Sequence, residues 1–290
     1  MQKGLLVNLV ERLPMPLAQQ LRDRRIRWQI KGMARQLHDS SPSGLGIELL
    51  ALLNDVAQPR SMPEEREIFH AIEACRLALL ADDTPIERLD YGVLPDGASD
   101  PEAGVPIKTT IGKVARASKS APWGELLFHL VRRRRPMHVL EMGTCVGMSA
   151  SYIAAALELN GHGRLVTIEG ASTVAAVARE TFERLGYTDR VEVVEGPFHR
   201  SLAPTIDACA PLDLVFIDGH HDGRATFEYY NAIRACASPS ALLLFDDVQW
   251  SASMRDAWSK IVAADPLAVT IDLGDVGIVQ TTGSPALADN

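Results

Sequence analysis

The second half of the chain alternates short apolar runs with amphipathic stretches, and this pattern restricts the fold more than any other feature. The apolar runs are residues 137–141, 165–169, 191–195, 212–218 and 241–246. The helical stretches between and after them lie near residues 148–159, 172–185, 200–209, 224–236 and 252–263. Short strands that alternate with helices indicate βαβ units and a parallel sheet.

The end of the chain departs from this alternation. Residues 268–273 and 278–281 are joined by a turn that contains two glycines, which predicts an antiparallel hairpin. The predicted fold is therefore α/β: a Rossmann-like, doubly wound, mostly parallel sheet of seven strands that ends in a C-terminal antiparallel hairpin.

Charge and composition exclude several classes of protein. The 290 residues carry a net charge of −8, which argues against a nucleic-acid-binding domain. No apolar run approaches the roughly 18–20 residues of a transmembrane helix. Asn8 and Glu11 interrupt the apolar residues at the start of the sequence, so these residues are not expected to form a signal peptide. The four cysteines lie far apart, without zinc-site or redox spacing. We expect a cytoplasmic protein with reduced thiols and neither a nucleic-acid partner nor a transmembrane segment.

The turn after the first of these strands is rich in glycine. It runs from Glu141 through Gly143, Thr144 and Gly147 to Ser149, where a helix begins. Glycines let the backbone approach a ligand closely, and a helix N-terminus offers free N–H groups. A dinucleotide site would need the spacing G-x-G-x-x-G, whereas this turn has Gly-x-x-x-Gly after an acidic residue. The acidic residue suits a ligand with a positive charge.

The next two strands end in residues that suit a nucleoside. Glu169 ends one strand, where a carboxylate can accept hydrogen bonds from both ribose hydroxyls of an adenosine. Gly196, Pro197 and Phe198 follow the next strand and offer backbone and a ring to an adenine base. Together with the acidic turn, these residues predict adenosine joined to a cationic group, and S-adenosylmethionine (SAM) fits that description.

Residues 124–281 resemble the class I SAM-dependent O-methyltransferases, in particular those similar to catechol O-methyltransferase. The resemblance rests on residues 139–149, 165–169, 186–191 and 212–218. It implies an enzyme that methylates a hydroxyl group of a small molecule, such as a vicinal diol or a sugar. The cofactor-binding residues expected from the turn, the strand ends and the resemblance are Glu141, Gly143, Thr144, Gly147, Ser149, Glu169, Gly196, Pro197, Phe198 and Asp218.

Acidic residues also end the last two strands of the alternating pattern. Asp218 ends one strand, while Asp246 and Asp247 end the other, so the three carboxylates are expected to converge. Such oxygen ligands favour Mg²⁺ (or Ca²⁺/Mn²⁺) over zinc. In the resembling family, acids at these strand ends bind a divalent ion that gathers two acceptor oxygens. The second residue of the pair is often Asn there, where this chain has Asp247.

His221 is the predicted general base, and Asp218 is the second residue assigned to catalysis. In the catechol enzymes a lysine stands three residues after the corresponding Asp, and His221 holds that position here. A neutral imidazole can accept the proton of the acceptor hydroxyl directly. His220 is predicted to be a loop residue without a chemical role.

The first 115 residues lie outside the resemblance. They are predicted to form an N-terminal helical region that closes over the substrate or forms a homodimer contact, ahead of a methyltransferase domain at residues 116–290. Within this region, Ser61 is predicted to begin a helix, and residues 82–106 are predicted to be a linker.

Three alternatives stay open on the sequence alone. A metal-independent methyltransferase would use Asp218 and Asp246 only as helix caps. A cofactor-binding partner subunit without turnover would keep the same glycine-rich turn. A nicotinamide dehydrogenase is disfavoured by the glycine spacing.

Overall fold

A computed structural model describes residues 15–40, 42–58, 61–92, 102–265 and 268–282. The interrupted apolar start at Asn8 and Glu11 therefore lies outside the described residues. In chain order, the elements before the large sheet are α1 (Met15–Asp39), α2 (Leu45–Ala57), α3 (Pro63–Leu80), β1 (Pro85–Asp90), β2 (Val105–Thr110), α4 (Ile111–Ala115) and α5 (Ala121–Arg134).

The remaining elements alternate between strand and helix, as the sequence predicts. They are β3 (His138–Met142), α6 (Met148–Asn160), β4 (Arg164–Glu169), α7 (Ser172–Leu185), β5 (Val191–Glu195), α8 (Phe198–Cys209), β6 (Leu212–Ile217), α9 (Gly223–Ala235), β7 (Ala237–Phe245), α10 (Ala252–Ala264), β8 (Val269–Asp272) and β9 (Gly277–Gln280).

These strands form a seven-stranded sheet in the order β5-β4-β3-β6-β7-β9-β8. Strands β3 to β7 are parallel, and β9 pairs antiparallel with both β7 and β8. The predicted doubly wound sheet with a closing hairpin is confirmed. The chain runs from β3 through β4 to β5 on one side of β3 and then crosses to β6 on the other side, so the crevice beyond the carboxyl end of β3 is the expected ligand site.

The N-terminal helices pack on the outside of this sheet layer. Ile30 in α1 and Ile72 in α3 are fully buried in the same core cluster as residues of α5, α6 and β3, and Ile26 and Ile68 are partly buried against it. Arg27 of α1 donates to Glu125 of α5, and Arg27 Nη1 lies 2.8 Å from Glu125 Oε2. No helix within the described residues is both long and apolar enough to cross a membrane.

Two local predictions for this region are wrong. The helix expected at Ser61 begins at Pro63, where Glu65 accepts a hydrogen bond of 2.9 Å from the backbone N–H of Met62. The predicted linker at residues 82–106 instead contains β1 and the start of β2, which form an antiparallel two-stranded sheet. Side chains of β1 alternate between exposed and half-buried, because one face of this sheet lies against the rest of the chain.

Candidate functional site

A cavity of about 740 Å³ opens beyond the carboxyl ends of β3, β4 and β6. This volume falls in the usual range for small-molecule sites. One wall of the cavity is formed by residues 88–92, 107, 109, 113 and 114 of the N-terminal region and by residues 117–119 just after it, whereas α1, α2 and α3 contribute no lining residue. The predicted site residues that line it are Gly143, Thr144, Ser149, Glu169, Pro197, Phe198, Asp218 and His221.

The glycine-rich turn takes its shape from two contacts. Gly143 has a φ of 108°, and a Cβ atom there would lie 2.0 Å from the carbonyl oxygen of Asp218. Gly147 has a φ of 87° at the start of α6, and a Cβ atom there would lie 2.8 Å from the Phe182 ring. Both positions require glycine, the first because the turn after β3 runs against the end of β6.

Glu141 lies beneath this turn rather than on the cavity wall. It is fully buried, and its Oε2 accepts a hydrogen bond of 2.6 Å from Thr167. Burial raises the pKa of Glu141 to about 8, although hydrogen bonds from Ser149 and Thr167 oppose the shift. Its Oε1 has no hydrogen-bond partner among the described residues. A buried carboxyl group without a full set of partners suits a site that receives a cationic ligand nearby.

Glu169 is held at the end of β4 by two backbone donors. Its Oε2 accepts from the N–H of Cys145 at 2.9 Å, and its Oε1 accepts from the N–H of Ala171 at 3.0 Å. Burial raises the pKa of Glu169, and the two backbone donors oppose this. Because a carboxylate oxygen can accept more than one hydrogen bond, both oxygens keep acceptor capacity for a ligand in the cavity.

The wall beside Glu169 includes residues that sequence reasoning missed. Tyr91 follows β1, and a Cβ atom at Gly170 would lie 2.8 Å from the tyrosine ring. Arg88 and Asp90 of β1 form an ion pair of 2.8 Å that also lines the cavity. Their only sequence signal is the weak alternation of residues 85–90, which the surrounding Asp, Pro and Gly residues obscure.

The loop after β6 brings two histidines to the cavity. His221 Nδ1 lies 3.6 Å from Asp247 Oδ2, and the His221 ring also lies near Trp250. His220 Nδ1 lies 2.8 Å from the hydroxyl of Tyr229, so this residue also contributes to the wall. His220, His221 and Asp247 all have positive φ values, of 72°, 42° and 53°. Such strain in residues other than glycine is concentrated at functional sites in proteins.

The three carboxylates predicted to hold a metal are placed differently from one another. Asp246 is buried, and its Oδ2 forms an ion pair with the ammonium group of Lys119. Asp247 faces His221, and only Asp218 lines the cavity. Burial raises the pKa of Asp218, and the positive charge of Lys119 opposes this shift.

A divalent ion does not fit these residues as they are placed. No group of three His, Cys, Asp or Glu side chains in the described part of the chain could hold a metal ion. A lysine already provides the positive charge beside Asp246. Lys119 was missed by sequence reasoning, because a single lysine in the loop before α5 matches no motif.

The cavity does fit the predicted cofactor. The Glu169 carboxylate can accept hydrogen bonds from ribose hydroxyls, and Gly143 lets a ligand approach the backbone closely. The predicted residues Glu141, Gly147 and Gly196 do not line the cavity. Gly147 shapes the glycine-rich turn after β3. Gly196 shapes the separate turn after β5, where a Cβ atom would lie 2.5 Å from the Ser201 hydroxyl.

Comparison with protein families gives a match to the methyltransferase domain over residues 140–248. Those residues are therefore similar to the methyltransferase domain. The matched residues include most of β3, all of β4 to β7, and the ends of the strands that form the cavity.

Two curated relatives each match about half of the chain. A catechol O-methyltransferase of Mycobacterium tuberculosis is 38% identical over 136 residues, covering 47% of this chain and 59% of the relative. A catechol O-methyltransferase of Niastella koreensis is 32% identical over 148 residues, covering 51% and 61%. The chain thus matches about three fifths of the length of these relatives.

Two solved structures share the fold of a larger part of the chain. The S-adenosylhomocysteine-bound methyltransferase PaMTH1 of Podospora anserina is 20% identical, with a TM-score of 0.52, over 73% of this chain and 86% of that one. The cofactor-bound Rv0187 from MTB is 22% identical, with a TM-score of 0.51, over 84% and 99%. These likenesses support the mostly parallel α/β architecture.

Proposed function

We propose that this chain is a SAM-dependent O-methyltransferase that acts on a hydroxyl group of a small molecule. The observation that carries the proposal is a single cavity with Glu169 on one side of β3 and His221, paired with Asp247, on the other. The likeness to catechol O-methyltransferases supports the reaction class, and the S-adenosylhomocysteine in the PaMTH1 structure supports the cofactor.

The chain's own residues would bind the cofactor along the ends of β3, β4 and β5. Glu169, fixed by its two backbone donors, would accept hydrogen bonds from the ribose hydroxyls. Phe198 lines the cavity after β5 and offers an apolar ring to the adenine base. The turn at Gly143 would let the backbone lie against the methionine part. When bound, SAM would supply a methyl group on a sulfonium sulfur. An oxygen nucleophile would attack this methyl carbon in line, with the sulfur as the leaving group.

His221 would take the proton of the acceptor hydroxyl. The Nδ1 atom of His221 faces Asp247. If Nδ1 carries the proton and directs it at that carboxylate, Nε2 is the unprotonated nitrogen that can act as the base. The carboxylate also favours the imidazolium that forms when the proton moves. Positioned proton transfer of this kind typically contributes about 10²–10⁴ in rate.

Metal assistance is the second candidate, and one observation favours it. Asp246 Oδ1 is buried and has no hydrogen-bond partner among the described residues. A divalent ion such as Mg²⁺, bound by Asp218, Asp246 and Asp247, would use that oxygen. This form of the enzyme requires Lys119 to leave Asp246.

The test measures cofactor binding and turnover separately. Isothermal titration calorimetry with SAM should give saturable binding. Incubation with SAM and catechol, chosen as a vicinal-diol probe, should yield S-adenosylhomocysteine and a monomethylated product by mass spectrometry. Absence of SAM binding contradicts the proposal. SAM binding without catechol turnover contradicts only the vicinal-diol class and directs the assay to sugar hydroxyls.

A further inference from the structure

Lys119 lies where the resembling family would lead one to expect a metal ion. It belongs to the loop between α4 and α5, lines the cavity, and forms an ion pair with Asp246. Its side chain is 17% exposed, and that of Asp246 is 1% exposed. The contact is therefore shielded from solvent, unlike the exposed lysine pairs that contribute little to a structure.

The loop that carries Lys119 is fixed by its neighbours. Ser118 and Ser120, on either side of it, are both buried. The Ser118 hydroxyl lies 3.7 Å from the sulfur of Cys145, which belongs to the glycine-rich turn. Ser120 accepts backbone hydrogen bonds at the start of α5. Lys119 thus lies at the cavity on a packed segment that also contacts the glycine-rich turn.

Asp246 and Asp218 leave the sheet side by side. The backbone N–H of Asp246 donates to Ile217, so the end of β7 stays paired with β6 up to Asp218. Two carboxylates at neighbouring strand ends repel one another unless a cation lies near both. Lys119 supplies that cation from the chain itself, by contact with Asp246 and by its charge acting on Asp218.

We propose that Lys119 is a built-in cation that takes the place of the divalent metal and faces the oxygens of the methyl acceptor. This inference rests on the proposed function. As the methyl carbon bonds to the acceptor oxygen, the carbon–sulfur bond breaks with its electron pair left on sulfur, and the hydroxyl proton passes to His221. Lys119 stays protonated throughout and stabilises the negative charge that develops on the oxygen.

The decisive experiment compares Mn²⁺ binding in three variants with that of the unaltered protein. Electron paramagnetic resonance of free Mn²⁺ needs no acceptor and no turnover. Lys119→Met removes the charge and should raise Mn²⁺ affinity by about ten-fold or more, because the two carboxylates lose their counter-charge. Lys119→Arg retains the charge and should bind Mn²⁺ as weakly as the unaltered protein. Lys260→Met, an exposed lysine on α10, serves as the matched control and should change nothing.

Turnover of catechol gives a second, independent result. Excess EDTA should leave the unaltered protein active. Lys119→Met should lose about 10²–10³ in kcat, with SAM affinity unchanged within about two-fold. Added Mg²⁺ should restore part of the lost rate in that variant alone. Circular dichroism and SAM binding verify that the variant is folded.

Two outcomes overturn the assignment. One is tight Mn²⁺ binding by the unaltered protein, equal to that of Lys119→Met. The other is loss of its turnover in EDTA with recovery on Mg²⁺. If the unaltered protein does not methylate catechol, the acceptor class is wrong, while the Mn²⁺ comparison still decides the role of Lys119.

Discussion

Gly143 lies so close to Asp218 that a Cβ atom on the glycine would be 2.0 Å from the aspartate carbonyl oxygen. The backbone N–H of Asp218 donates to Met142 at 2.9 Å, so the ends of β3 and β6 are held together at this point. The glycine-rich turn and the loop that carries the two histidines are therefore in direct contact at this point.

Gly143→Ala tests that contact. Alanine must adopt a positive φ and also displace the backbone at Asp218, so we expect a loss of about 3–5 kcal/mol in the free energy of unfolding. Gly161→Ala is the matched control, because Gly161 has a φ of 74° and no atom near its added Cβ. That variant should lose only about 1–2 kcal/mol. Urea denaturation measures both, and equal losses would mean that crowding at Asp218 is not the constraint.

Glu169→Gln should weaken SAM binding. The amide removes the charge and replaces one acceptor oxygen with a donor that faces a backbone N–H. Losing a charge-assisted hydrogen bond costs about 1.5–3 kcal/mol, which corresponds to about 10–150-fold in Kd. Calorimetry measures the change. Glu192→Gln, at an exposed position on β5, is the control and should bind SAM normally. Unchanged affinity in Glu169→Gln would refute the ribose assignment.

His221→Ala should lower kcat by about 10²–10³, because the proton of the acceptor hydroxyl loses its positioned base. Asp247→Asn should have a smaller effect, since the imidazole remains but its orientation and charge support are weakened. His220→Ala removes a contact with Tyr229 and should leave kcat within about ten-fold. Initial rates at saturating SAM compare the three, and equal impairment of His220→Ala and His221→Ala would contradict the assignment.

Glu141→Gln should change how stability depends on pH. Burial raises the pKa of Glu141 from 4.5 to about 8, so the folded protein keeps a proton that the unfolded chain has lost. The free energy of unfolding should therefore fall as pH rises between those values, by at most about 1.4 kcal/mol per pH unit. The glutamine has no proton to lose, so Glu141→Gln should show a flatter profile. Parallel denaturation curves for the two proteins across this range would count against the raised pKa.

The large sheet was predictable because its central strands, such as β3 and β6, are largely buried and apolar on both faces. Residues such as Leu140 and Val215 stand in runs that only a covered parallel strand explains. Glu169 and Asp218 were placed in the cavity by the same logic, since they end strands on either side of β3. The sequence pattern that predicts the strands therefore also predicts which residues lie at their carboxyl ends.

The rest of the site depends on contacts between segments far apart in the chain. Lys119 forms an ion pair with Asp246, more than a hundred residues away in the sequence, and no local sequence pattern predicts such a pair. Tyr91 reaches the cavity from a small sheet whose sequence has the composition of a loop. Glu141 was expected on the cavity wall, but the sequence cannot tell whether a strand-end carboxylate points into the crevice or beneath it.

One apolar core joins α1 and α3 to α5 and β3. The proposed boundary at residue 115 therefore marks the end of the region without family resemblance, but the two sides are expected to unfold together. Ile30 and Ile72 are fully buried in one core cluster with residues that follow position 115, such as Leu126 and Val139. We expect the chain to melt in a single cooperative transition, with the helices and the sheet lost at the same temperature. A fragment that starts at residue 116 would expose that shared surface to water, so it should aggregate rather than act as an autonomous catalyst.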